Sequence, residues 1–185
     1  MAREPTPPQT VGPFFHGSML RQSRAQIAPD DAVGERIRID GRVLDGEGRP
    51  VTDALVEVWQ ADVAAGDADR AGDDVGPDGS AGLGRSGTDR EGRYRFETVR
   101  PGRVLASDGS LEAPHLEVFV FARGLLDRLA TRIYFEDDDP AGIDPFLHAV
   151  PQERRATLIA TRDEEGRYHH DLVLQGASET VFFDA

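Results

Sequence analysis

Cysteine is absent from all 185 residues. Disulfides, thiolate metal sites and cysteine nucleophiles are thereby excluded. Long apolar runs are absent too: nothing approaches the ~18 residues that a helix needs to cross a bilayer. The first residues, MAREPTPPQTVGPFF, carry no apolar h-region behind the basic residue. No secretory leader is therefore expected, and a soluble, cytoplasmic protein is. Positive charge is scarce, with 21 Lys and Arg against 34 Asp and Glu and a net charge of −13. A surface of that sign repels nucleic acid and anionic lipid, so neither is expected as a partner. An anionic small molecule would bind only where a local cation overrides the general field.

What is present is a set of short alternating segments. A chain of this length suits one domain, or one with extended arms, and buries roughly 70% of its unfolded surface. Residues 1–35 read as an irregular arm, Pro-rich and broken by Pro-Pro and Gly-Pro. Residues 36–185 read as the folded domain. ERIRIDGRVLD alternates, with Ile37, Ile39, Gly41 and Val43 on one face; with the turn DGEGRP and the alternating ALVEVWQAD it predicts a hairpin. Residues 62–90, rich in Gly, Asp and Ala, predict a long loop, and RVLASDGSLEAP a second. GRYRFETV, HLEVFVFARG, LATRIYFED, GRYHHDLVLQG and ETVFFDA predict strands. PQERRATLIATRD predicts a short helix with Pro151 near its first position. No internal repeat is evident. Many short strands between turn signals predict an all-β fold, a β-sandwich with long loops and one short helix.

His115 and Glu117 stand two apart in the strand pattern, so they share a face. They suit part of a metal site, a proton-transfer pair, or a buried ion or hydrogen-bond pair. A 2-His-1-carboxylate site needs a second histidine. His16 lies in the arm and His148 near a helix start, while the adjacent His169 and His170 face opposite ways. No H-x-H or H-E-x-x-H occurs. Ser86 sits in the predicted loop, outside any G-x-S-x-G and with no base nearby. GLGRSG lacks the strand-to-helix context of a phosphate loop, and the loop aspartates lack EF-hand spacing. The residues alone outline an acidic β module without a complete catalytic set, which leaves a binding or structural role open.

Several segments in order are similar to the intradiol ring-cleaving dioxygenases: GRVLDGEGRPVTDALVEVWQAD, GRSGTDREGRYRFETVRPG, APHLEVFVFARG, LATRIYFEDD and ETVFFDA. With the arm TPPQTVGPFF the likeness spans nearly the whole chain. It implies a prealbumin-like β-sandwich and O2-dependent cleavage of a catechol between its hydroxyls. Catalytic chains of that family hold Fe(III) with two tyrosines and two histidines. By this pattern His115 matches the first histidine, and Glu117 stands where the second belongs. Val104 stands at the tyrosine of a Pro-Gly-x-Tyr turn. Residues 62–93 hold no tyrosine for the remaining ligand; the chain's three are Tyr94, Tyr134 and Tyr168.

Three of four ligands are thus missing. The resemblance implies that this chain binds no metal and carries no catalytic residue, with His115, Glu117 and Val104 vestigial. It implies a hetero-oligomer in which a homologous β subunit binds the Fe(III) and the active site lies between the two chains. Thr10, Gly12, Pro13 and Phe14 of the arm, together with Arg132, are the implied substrate contacts. The Arg132 guanidinium would meet the carboxylate of an aromatic substrate. On the residues alone, Arg132 would instead pair with Asp137 or Asp138. Phe14, Phe15 and the terminal VFF are implied anchors on the β subunit. A non-enzymatic prealbumin-like module that binds a ligand or a protein is the rival class.

Overall fold

The computed structural model describes residues 7–20, 24–61, 82–106, 109–138, 140 and 144–183. A helix, α1 (Pro13–Met19), opens them. The strands are β1 (Arg36–Leu44), β2 (Leu55–Trp59), β3 (Leu83–Gly87), β4 (Arg93–Val99), β5 (Val104–Leu105), β6 (Leu111–Glu112), β7 (His115–Phe121) and β8 (Leu129–Phe135). After helix α2 (Pro145–Ala149) and a 3-10 helix (Gln152–Leu158) come β9 (Ile159–Arg162), β10 (Tyr168–His169) and β11 (Leu172–Val173). Asp144 caps α2 by accepting from the Leu147 N–H, and Pro145 supplies the first-turn residue that needs no donor. The described residues are all-β with few helices.

Alternation decides the faces. In β1, Ile37, Ile39, Gly41 and Val43 are buried and the residues between them are not. Antiparallel β4 flanks β1 on one edge and parallel β10 and β11 on the other. β9 joins β10 to β8, and β8, β7, β2 and β3 follow antiparallel. Residues 24–27 bind both ends of this sheet. Arg24 exchanges backbone hydrogen bonds with Arg85 of β3, while Ile27 and Ala25 bond Glu97 of β4. Two edges that would otherwise offer open backbone groups are covered. Ile39, Val56, Val58, Phe96, Leu116, Val118, Ile133 and Phe135 fill the main core. A second cluster, Tyr134, Leu147, Val150 and Leu158, lies on the other side of β8.

Several sequence expectations need correction. The hairpin of β1 with β2 does not form: β1 pairs with β4 and β2 with β7 and β3. The DGEGRP turn reverses the chain only as far as a bridge between Leu44 and Pro50. The predicted 62–90 loop contains β3, with Ser86 buried on it; residues 62–81 lie outside the described residues. Its sequence hides a strand because glycine is a poor strand former. The glycines serve packing: a Cβ at Gly84 would sit 2.6 Å from Ile27, and one at Gly87 would overlap Leu20. RVLASDGSLEAP contains the β5–β6 pair. Pro151 is the N-cap of a 3-10 helix, and the IATR part of that segment becomes β9. Among the described residues of ETVFFDA, 179–183, there is no strand but a bridge from Phe183 to Ala130. The arm, expected to be irregular, contains α1.

A repeat is present after all. Asp-x-Glu-Gly-Arg occurs at 45–49, 89–93 and 163–167. In each turn the aspartate Oδ1 accepts from the backbone N–H of the Glu and of the Arg. Gly48, Gly92 and Gly166 take φ values of 75°, 73° and 80°, a left-handed conformation that only glycine adopts freely. Three chain reversals are thus built from one local code.

Two predictions follow from the β1–β10 seam, where the Tyr94 hydroxyl donates to the His170 carbonyl at 2.7 Å. A Cβ at Gly41 would overlap that carbonyl, whereas one at Gly48 meets nothing within 4 Å. Gly41→Ala is expected to cost about 3 kcal/mol or more and Gly48→Ala about 1 kcal/mol, read from urea midpoints. His170 is buried, and burial holds its pKa down at about 4 from the usual 6.5. Below pH 6.5 the unfolded chain takes a proton that the folded one refuses. Stability should therefore fall by about 3 kcal/mol between pH 6.5 and 4. His170→Gln should flatten that slope in urea titrations across the window.

Candidate functional site

β7 and β8 pair so that His115 lies opposite Tyr134 and Glu117 opposite Arg132. Leu116, Val118 and Ile133 take the alternate positions and enter the core. The other face therefore gathers imidazole, carboxylate, guanidinium and phenol. Glu112 arrives from β6 and Asp144 from the cap of α2. Val104 is the register partner of Glu112, so His115, Glu117 and Val104, the three positions expected to be vestigial, lie on neighbouring strands.

The guanidinium of Arg132 is central here. Its Nη1 donates to Glu112 at 3.1 Å, its Nη2 to Glu117 at 3.5 Å, and its plane lies 4.3 Å over the Phe146 ring. The Arg132 side chain is 12% exposed. Burial works against its charge, but the Tyr134 hydroxyl and the two carboxylates outweigh burial and raise its pKa. Asp137 and Asp138, its expected partners, bind Arg100 at 2.7 Å each.

His115 is 6% exposed. Its Nδ1 lies 2.8 Å from the Ala113 carbonyl, which can only accept, so Nδ1 carries the proton. The bare Nε2 faces Glu112 at 3.6 Å. Burial first, and the Arg132 charge second, lower the His115 pKa and keep the ring neutral near pH 7. Asp144 accepts from the Leu147 N–H at 2.9 Å, the Tyr134 hydroxyl at 3.2 Å and the Ala113 N–H at 2.9 Å. Burial raises the Tyr134 pKa, which holds the phenol protonated.

Ligand atoms of Glu112, His115 and Asp144 all lie within 4.8 Å of one another. This set does not fit a ferric ion. Its nearby phenol is protonated and already bonded to Asp144. A fixed cation, Arg132, stands against Glu112. Sequence reasoning missed Glu112, Tyr134, Asp144 and Phe146. The signal available for Asp144 was the Asp-Pro step that starts a helix.

The arm residues lie elsewhere. Thr10 Oγ1 accepts from the Gly124 N–H at 2.8 Å, and the Phe15 ring stands 5.5 Å from that of Phe121. Gln9, Val11, Phe15, Leu125 and Arg128 line a cavity of about 210 Å³ beneath the arm. Phe14 is 88% exposed, and no atom approaches a Cβ built on Gly12. Pro13 begins α1. The arm thus docks at the turn of the β7–β8 hairpin. Arg132 sits four residues along β8 from Arg128, roughly 13 Å away at ~3.3 Å per residue. Thr10, Gly12, Pro13 and Phe14 are brought together, and Arg132 is not brought to them.

Comparison with known proteins then places the chain. Residues 10–176 match the family model Dioxygenase. The protocatechuate 3,4-dioxygenase alpha chain of Burkholderia cepacia is 44% identical over 97% of this chain and 96% of its own. That of Pseudomonas putida is 40% identical over the same shares. The protocatechuate 3,4-dioxygenase beta chain of Burkholderia cepacia is 33% identical over 93% of this chain and 76% of its own. Catechol 1,2-dioxygenase from Pseudomonas arvilla C-1 shares the fold, with a TM-score of 0.64 at 23% identity, over 82% of this chain and 56% of that one. Among the described residues, no helix is long and apolar enough to cross a membrane. With a family model spanning residues 10–176 and relatives aligned nearly end to end, the chain belongs to the intradiol ring-cleaving dioxygenase family.

Proposed function

We propose that this chain is the α subunit of a cytoplasmic protocatechuate 3,4-dioxygenase, paired with a homologous β subunit that holds the Fe(III). One observation carries the proposal. A chain that aligns over 97% of its length with α chains sets Arg132 against Glu112 and Glu117, on the strand pair where the resemblance puts iron ligands in catalytic chains. A sheet whose strands β1, β4, β2, β7 and β8 all contribute to the main core supports the prealbumin-like sandwich as the finer class. When bound on the partner, the iron supplies the activation of the catechol toward O2, and cleavage between the hydroxyls yields 3-carboxy-cis,cis-muconate.

This chain's residues shape the pocket and orient the substrate. Thr10 and Phe15 clamp the arm onto the β7–β8 turn. That leaves Phe14 and the open side of Gly12 available to line a site on the neighbouring chain. Glycine lets backbone approach a flat ring closely, and Pro13 fixes the backbone angle of that approach. Arg132 is proposed to meet the substrate carboxylate. Its hold on Glu112 is short, while Glu117 is 49% exposed at 3.5 Å, so Glu117 is the partner that a substrate carboxylate would displace.

O2 uptake with protocatechuate is expected only when this chain is co-expressed with the β subunit; turnover by this chain alone would refute the proposal. Phe14→Ala should leave stability within about 0.5 kcal/mol yet raise KM in the complex about tenfold, equivalent to about 1.4 kcal/mol. Arg132→Ala should weaken binding of protocatechuate about tenfold, on the same scale, and leave plain catechol unaffected. Equal losses for both substrates would remove Arg132 from the site.

A further inference from the structure

We infer that Arg132 is a tethered cation standing where a divalent metal ion would otherwise bind, and that its charge is what keeps the Glu112, His115 and Asp144 cluster from taking up metal. Three features of the cluster point to a ligand. His115 is 6% exposed and donates its Nδ1–H to the Ala113 carbonyl. That is how a metal-binding histidine is oriented, with the other nitrogen bare and aimed at the site. Its Nε2 lies 3.6 Å from Glu112, and one atom each of Glu112, His115 and Asp144 falls within a 4.8 Å span. One imidazole and two carboxylates suit a borderline divalent ion such as Zn²⁺ or Co²⁺ rather than Ca²⁺ or Mg²⁺.

Against this donor set stands a guanidinium 3.1 Å from Glu112 and 3.5 Å from Glu117. It neutralises carboxylates that would otherwise repel one another in a partly buried place. It also opposes any second cation within a few ångströms, where like charges interact strongly at low dielectric. Phe146 covers the guanidinium plane. Thus the same side chain supplies the positive charge the cluster needs and refuses a mobile replacement. The inference concerns this chain alone and does not depend on which substrate the assembly cleaves.

The test is Co²⁺ binding to the isolated full-length chain, read by the visible absorption of the bound ion and by calorimetry, with Zn²⁺ as competitor. Arg132→Leu removes the charge, and Arg132→Lys keeps it. Arg132→Leu should bind one Co²⁺ at least ~100-fold more tightly than the native chain, and Arg132→Lys no better than native. Adding His115→Gln to Arg132→Leu should abolish the gain. Should Arg132→Leu be unfolded in metal-free buffer, Co²⁺ must restore its circular dichroism and melting transition. Tight binding by the native chain, no gain in a folded Arg132→Leu, binding that survives His115→Gln, or an unfolded variant that Co²⁺ does not rescue would each overturn the inference.

Discussion

A slip of one residue between β7 and β8 would turn Leu116, Val118 and Ile133 out of the core and drive Glu117 and Arg132 into it. Side chains alternate with a period of two, so register is an all-or-none choice once one face is buried. The core interest of the molecule and its polar site are therefore two sides of the same pairing. The β7–β8 turn also receives the arm, through Gly124 and Phe121. Core, polar cluster and arm dock all rest on that single register.

Arginine governs the electrostatics of this acidic chain, which has no lysine. Arg132 gathers Glu112 and Glu117, while Arg100 gathers Asp137 and Asp138 and reaches the Tyr168 hydroxyl. The planar fork satisfies two carboxylates at once, which a lysine ammonium does less well. On the surface the same chemistry recurs in the three Asp-x-Glu-Gly-Arg turns, where arginines 49 and 167 return to their own aspartates at 2.9 and 2.8 Å. Exposed pairs of that kind contribute little energy. Their value lies in the turn geometry, which the aspartate's bonds to backbone N–H groups hold. The partly buried Arg132 is different: removing it would leave carboxylates without a counter-charge in a place poor in water.

Much of the fold was legible because alternation is a local signal. The strands β1, β2, β4, β7 and β8 sit where the apolar periodicity put them. β3 was not legible, since its glycines are there for Leu20 and Ile27, which come from a distant part of the chain. The β1–β2 hairpin was misread for a related reason. A turn code shows where a chain reverses but not which strand it will lie beside. Of the site, His115 and Glu117 were visible as residues of one strand face, and Arg132 only through the resemblance. Glu112 and Asp144 were not, because only folding brings β6 and the α2 cap against them.

By itself the sequence determined composition, faces and turns: no thiol chemistry, an acidic surface and alternating strands. Those are properties of residue types and of short-range spacing. Tertiary structure decided the partners. It set Arg132 against Glu112 and Glu117 rather than Asp137 and Asp138, and closed the sheet edges with residues 24–27. It also held His115 neutral by burial. Each depends on which groups share a low-dielectric space, and that is settled by packing between segments far apart in the chain.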